Sequence, residues 1–183
     1  MKSTAPPRIR DLIDRLARLS AAEDWNDGLN PAQRSALTYL AQANRFSRAP
    51  SHVADFLCTT RGTASQTLKS LERKGLIVSI PSAADRRSLS YELTAKGTAT
   101  LSTARGLDAA VATLERNEAK SLEEGLESIL ENLLAQRGYR SFGICKTCRH
   151  HEKTMLGARC ALLGVALRKD DIDALCHEHS SGA

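Results

Sequence analysis

Apolar positions recur along this chain at two spacings, and each change of spacing marks an element. From residue 8 to 19, Ile9, Leu12, Ile13, Leu16 and Leu19 fall on one face at helical spacing, with Arg8, Arg10, Asp11, Asp14, Arg15 and Arg18 elsewhere. A second helix is expected from Leu29–Asn30–Pro31, because asparagine is a good N-cap and proline suits the first helical position. Its apolar residues Leu37, Tyr39 and Leu40 lead to a break near Arg45–Pro50. Ser51 is the expected cap of a short helix, SHVADFL, with Val53, Ala54 and Leu57 facing inward. Thr60 is the expected cap of RGTASQTLKSLERK, whose buried stripe is Ala64, Leu68 and Leu71 and whose stop is Gly75.

The spacing then shortens. Ile77–Ile80 and Leu89–Leu93 are short β-like runs that bracket PSAADRRS, which predicts a hairpin with a polar, arginine-bearing tip. From Thr94 to Arg116 the pattern is helical again, with Leu101, Ala104, Leu107, Val111 and Leu114 as candidate contacts. Ser121 and Glu124 form a capping box expected to open a last helix, which carries Leu122, Leu126, Ile129, Leu130, Leu133 and Leu134 and closes at Gly138. So wide an apolar face predicts packing on another helix or on a second subunit.

Charge adds a location. The net charge of +5 is concentrated in residues 30–97, where ten Lys/Arg stand against four Asp/Glu, while residues 1–29 balance and residues 98–183 carry eleven against twelve. A basic segment between neutral flanks is the footprint of a polyanion-binding surface. Aromatic residues make up only 4% of the chain, which disfavours stacking on unpaired bases and leaves duplex grooves as the target. No apolar run suits a signal peptide or a membrane span, so the expected compartment is the reducing cytoplasm, with no membrane partner. No nucleotide loop or recognisable acid–base pair points to an enzyme.

Two short helices joined by a tight break, the second rich in small polar and basic side chains, fit a helix-turn-helix. With Ala64, Leu68 and Leu71 buried, Arg61, Thr63, Ser65, Gln66, Lys69 and Arg73 remain for DNA. Gln66 suits adenine and Arg61 guanine, each by a bidentate contact that discriminates by about 1–3 kcal/mol. Lys69 and Arg73, nearer the helix end, are expected on phosphate. Arg86 and Arg87 at the hairpin tip suit a narrow minor groove, with Asp85 orienting one of them.

The runs LNPAQRSALTYL, HVADFLCTTRGTASQTLKSLERKGLI and ADRRSLSYELTAKG resemble the core of the MarR family, most specifically in the DRR tip followed by LTAKG. The resemblance covers roughly residues 8–137. It implies a mainly α fold with a small β-hairpin wing, a winged helix-turn-helix. It also implies a homodimer that binds a pseudo-palindromic operator on double-stranded DNA and usually represses. By the family pattern Thr60–Arg73 holds the recognition helix, and Asp85 and Arg87 make the wing contact. The expected organisation is a dimerisation helix in 1–29, the winged helix-turn-helix in 30–97, dimerisation helices in 98–138 and a cysteine-rich segment in 139–183. Many members respond to small aromatic acids or to cysteine oxidation, so a small-molecule effector stays open.

The segment after Gly138 departs from that pattern. Cys145, Cys148, Cys160 and Cys176 are spaced C-x2-C-x11-C-x15-C, which in a reducing compartment reads as a metal or cluster site rather than a disulfide framework. Four soft thiolates select Zn²⁺ or an iron–sulfur cluster. One close pair followed by dispersed single ligands favours the cluster, [4Fe–4S] before [2Fe–2S], with structural zinc as the alternative and metal-free thiol chemistry a third reading. Met155, Leu156, Leu162, Leu163, Val165, Leu167, Ile172 and Leu175 are the expected apolar cover. His177 and His179 are expected at the surface, His150 or His151 as a donor to a thiolate, and Cys58 as a small buried apolar residue. The whole reads as a dimeric repressor modulated by a cluster next to its dimer helices.

Overall fold

The computed structural model describes residues 7–180, apart from 27, 82–87, 103, 104 and 156. Helix α1, Pro7–Asn26, runs past the periodic stretch that predicted it. Its apolar stripe, Ile9, Leu12, Ile13, Leu16 and Leu19, stays exposed within one chain, as does Trp25. Helix α2, Pro31–Gln42, opens as expected: the Asn30 side chain accepts from the Gln33 N–H at 2.8 Å, and the Asn30 N–H donates to Gln33 Oε1 at 3.2 Å. Its Ala36, Leu37, Tyr39 and Leu40 are wholly buried.

Helix α3 is Pro50–Phe56, and Ser51 does not cap it. Proline fills the first helical position with its φ already set, and Ala49 before it is extended (φ −75°, ψ 154°), as a residue preceding proline must be. Helix α4, Arg61–Arg73, is capped by Thr60, whose side chain accepts from the Thr63 N–H at 3.1 Å. Gly75 follows it at φ +69°, a conformation that suits glycine.

Strands β1, Ile77–Pro81, and β2, Leu89–Leu93, pair antiparallel from Ile77↔Leu93 to Pro81↔Leu89, forming the hairpin of a winged helix. Thr94 then caps helix α5, Ala95–Leu101, by accepting from the Gly97 N–H at 3.1 Å. Gly97 lies so close to the Leu76 carbonyl that a Cβ there would collide with backbone.

The helical stretch expected over 94–116 is divided. After α5, Arg105 is extended and a separate helix α6, Gly106–Val111, begins. The break follows from tertiary anchoring. The Arg105 guanidinium reaches Asp24 of α1 at 2.7 Å, and the Gly106 N–H donates to Glu23 at 3.1 Å. Asp24 also pairs with Arg34 of α2, at 3.3 Å, so one buried carboxylate ties three elements together.

Helix α7, Arg116–Arg137, starts earlier than expected, from a Glu115–Glu118 capping box; Ser121 and Glu124 lie inside it. RNEAK consists mostly of helix-favouring residues, so the helix extends upstream to the earlier cap. Gly138 closes it at φ +63°. The stripe Leu122, Leu126, Ile129, Leu130 and Leu133 is exposed within the single chain.

Beyond Gly138 lies a small β lobe. Strand β3, Gly143–Ile144, leads into a 3-10 turn, Cys145–Thr147, and pairs antiparallel with β7, Leu175–Cys176. Strands β4, His151–Thr154, β5, Gly157–Cys160, and β6, Val165–Leu167, form an antiparallel sheet in that order. The short helix α8, Lys169–Ile172, precedes β7. The hydrophobic core runs from Leu29 to Tyr91, inside the helix-turn-helix and hairpin. Among the described residues no helix is long and apolar enough to cross a membrane.

Candidate DNA-reading face and cysteine site

Helix α4 is held by one face and free on the other. Ala64, Leu68 and Leu71 are wholly buried against α2 and α3. Arg61, Thr63, Gln66, Lys69 and Arg73 are exposed, and Ser65 is half-buried. Of the nine residues expected to contact DNA, six therefore lie on this helix, five of them exposed. Thr63 is also engaged locally, its hydroxyl 2.9 Å from that of Thr60 at the cap. The helix is braced from below: Gln33 donates to Ser70 at 2.9 Å, and the Ser79 N–H of β1 donates to Glu72 at 3.1 Å. Asp85, Arg86 and Arg87 lie outside the described residues, so only the strands that carry the wing tip are placed.

The four cysteines lie on separate segments of the lobe. Cys145 and Cys148 flank the 3-10 turn, with the Cys148 N–H donating to the Cys145 carbonyl at 3.1 Å. Cys160 ends β5 and Cys176 ends β7. Cys145 is buried, and its thiol is pushed up to about 11 by that burial and then by Cys176, Cys160 and Cys148 around it. Burial likewise raises Cys176, against hydrogen bonds from Asn44, Glu178 and Ser47 that favour its thiolate. The Ser180 N–H donates to Cys148 Sγ at 3.5 Å. His151 Nδ1 lies 3.9 Å from Cys145 Sγ, in line with the donor role expected of one of the paired histidines.

All four cysteines are free thiols. Among the described residues, no three His, Cys, Asp or Glu side chains stand close enough to share a metal ion as they are. The chemistry of the donors is nonetheless that of a soft-metal or cluster site: four free thiols in one small lobe, two of them buried, with the Ser180 N–H directed at Cys148.

Three expectations about this region are corrected. Cys58 is exposed rather than buried, because α3 ends at Phe56 and leaves it in the connecting turn at φ +49°. Among the expected cover residues, Met155 is fully exposed and Leu162 and Leu163 are largely so; Leu156 lies outside the described residues. The lobe is too small to fold its strands over these side chains. His177 is buried rather than solvated. Its ring stacks on His52 of α3, with centroids 3.8 Å apart, and its Nε2 lies 3.2 Å from Asp55.

Sequence reasoning missed the joint to which His177 belongs. The lobe was expected beside the dimer helices, yet its contacts run to the turn between α2 and α3. The Asn44 N–H donates to the Leu175 carbonyl at 2.8 Å, and the His177 N–H donates to Ser47 Oγ at 2.9 Å. Arg45 pairs with buried Asp171 at 3.3 Å and donates to the Ala166 carbonyl at 2.9 Å. Phe142 meets Tyr39 and Phe56 edge-on, with centroids 5.7 and 5.2 Å away. Partners so far apart in the chain leave no local periodicity, so no signal in the sequence marked them.

Residues 27–88 match the model of the MarR family. Among solved structures, the transcriptional repressor CouR bound to a 23-mer DNA duplex is 29% identical over 67% of this chain and 89% of its own, with a TM-score of 0.54. The S. aureus MepR–DNA complex is 21% identical over 71% of this chain and 96% of its own, with a TM-score of 0.56, a likeness of fold. No curated protein matches the chain. The chain thus has a winged-helix fold that resembles the MarR family through residues 27–88, with a cysteine lobe appended to it.

Proposed function

We propose that the protein is a homodimeric, sequence-specific repressor of transcription whose grip on DNA depends on an iron–sulfur cluster held by Cys145, Cys148, Cys160 and Cys176. The observation that carries the DNA-binding part is α4: a recognition helix fixed by Ala64, Leu68 and Leu71, with Arg61, Gln66, Lys69 and Arg73 free to enter a groove. Asp85, Arg86 and Arg87 are assigned to the wing contact. The exposed stripes of α1 and α7 supply the surface for a second copy, as the half-sites of a pseudo-palindrome require. A regulator of this kind works in the cytoplasm and is no enzyme.

A [4Fe–4S] cluster, preferred to [2Fe–2S], would supply a link among four segments that oxygen or oxidant breaks. The chain's own residues bury Cys145 and Cys176, direct the Ser180 N–H at the sulfur of Cys148, and couple the lobe to the reader through Asn44, Arg45 and Ser47. A second reading is a structural zinc site combined with a small-molecule effector. The tight Cys145–Cys148 turn favours it as a usual zinc half-site, as does an apolar cleft of about 390 Å³ between α1 and α6, lined by Leu16, Leu19, Leu107 and Ala110.

The test is selection of duplexes from a random library by the anaerobic protein, followed by binding before and after oxidant. Enriched palindromic sites with oxidant-sensitive affinity are expected, and Gln66→Ala should cost about 1–3 kcal/mol at its base. Affinity unchanged by oxidant but lost on chelation would favour the zinc reading, and the absence of any enriched sequence would defeat the regulator reading.

A further inference from the structure

Cys176 is where the lobe and the DNA reader meet. Both of its chain neighbours are bound to the α2–α3 turn: the Leu175 carbonyl accepts from the Asn44 N–H at 2.8 Å, and the His177 N–H donates to Ser47 Oγ at 2.9 Å. A ligating sulfur must be oriented, and groups outside the ligand set that fix its backbone do that.

Asn44 and Ser47 belong to the α2–α3 turn rather than to the lobe, and both are nearly inaccessible, at 2% exposure for Asn44 and 1% for Ser47. Ser47 is a hub. Its hydroxyl accepts from the His177 N–H at 2.9 Å, and its carbonyl accepts from the Tyr39 hydroxyl at 2.5 Å. Asn44 holds the turn from the other side, its side chain accepting from the Phe46 N–H at 3.0 Å and its own N–H donating to Leu175 at 2.8 Å. Ala43 adds a parallel β-bridge to Leu175. This turn delivers α3, and α3 packs directly on α4.

We propose that Asn44 and Ser47 of the DNA reader are positioning residues of the cysteine site, so that metal held through Cys176 orders the α2–α3 turn and with it the recognition helix. The inference rests on the reading that the four cysteines hold a metal. It adds that the signal enters the reader directly through this turn.

The probe is Co²⁺, whose bonds to thiolates absorb visibly, titrated into the full-length, metal-free protein without oxygen. Ser47→Ala and Asn44→Ala should each weaken Co²⁺ binding about 10–100-fold, while Glu124→Gln on the exposed face of α7 leaves it unchanged. Hydrogen exchange of the wild-type chain supplies a readout that needs no variant. Saturating Co²⁺ should slow exchange in residues 43–58 as well as in the lobe. Protection confined to residues 143–180, or folded variants that bind Co²⁺ as tightly as wild type, would overturn the inference and leave the metal reading standing. A wild-type chain that binds no Co²⁺ would overturn both.

Discussion

Between Leu29 and Tyr91 apolar side chains from α2, α3, α4 and the hairpin are buried in one continuous core, whereas beyond Gly138 the buried residues among those described are Ala158, Cys145, Cys176, Asp171 and His177. The reader excludes water from leucines. The lobe excludes it from thiols, a carboxylate and an imidazole, and leaves Met155, Leu162 and Leu163 in solvent. A segment of about 40 residues with so little apolar burial usually needs a metal, disulfides or a partner to stay folded. Here the described cysteines are free, and the partner is in part the reader itself. The contrast teaches that one chain can fold by two means, and that the weaker means is placed where the signal is expected.

The comparison can be sharpened by substitution, beginning with the largest effect. Leu68→Ala removes a wholly buried side chain from the reader and should cost about 2–5 kcal/mol in chemical denaturation, while Met155→Ala in the lobe should stay within about 0.5 kcal/mol. Equal effects would erase the distinction. Gly97→Ala places a Cβ against the Leu76 carbonyl at the base of the wing and should cost about 1–3 kcal/mol, read as a lowered denaturation midpoint. Thr60→Ala removes the cap of α4 and should cost about 0.5–2 kcal/mol, with a matching loss of DNA affinity if the helix start is frayed.

The smallest effect tests the joint between the two regions. His52, stacked on His177, is held down to about 4 from its ordinary 6.5, first by burial and then by the charge of His177. A histidine kept neutral in the fold contributes stability that is present above pH 6.5 and is lost as pH falls from 6.5 toward 4. Thermal denaturation should therefore show a melting temperature that drops across that window in wild type and drops less in His52→Gln. A drop of the same size in the variant would assign the titration elsewhere.

What was legible in the sequence follows the same divide. In the reader, local signals and tertiary structure agree: Asn30 and Thr60 cap their helices, Gly75 stops α4, and Ala64, Leu68 and Leu71 are buried. Where the reading failed, a competing influence decided. Pro50 displaced Ser51 at the start of α3, and ion pairs from Arg105 to α1 divided the helical stretch expected over 94–116. The four cysteines were found by composition and spacing alone. Their supporting residues, Asn44, Ser47, Asp171 and His177, were not, because hydrogen bonds that span much of the chain follow no period.

The most direct test of the account is the absorbance spectrum of protein purified without oxygen, with iron, sulfide and zinc assayed on the same sample. The account predicts broad visible absorbance with matched iron and sulfide in the wild type, both lost in Cys145→Ser. A colourless wild-type protein holding one zinc per chain would replace the cluster with the structural reading. A wild-type chain with neither metal nor sulfide, and a lobe that stays folded regardless, would contradict the claim that these thiols hold a metal at all.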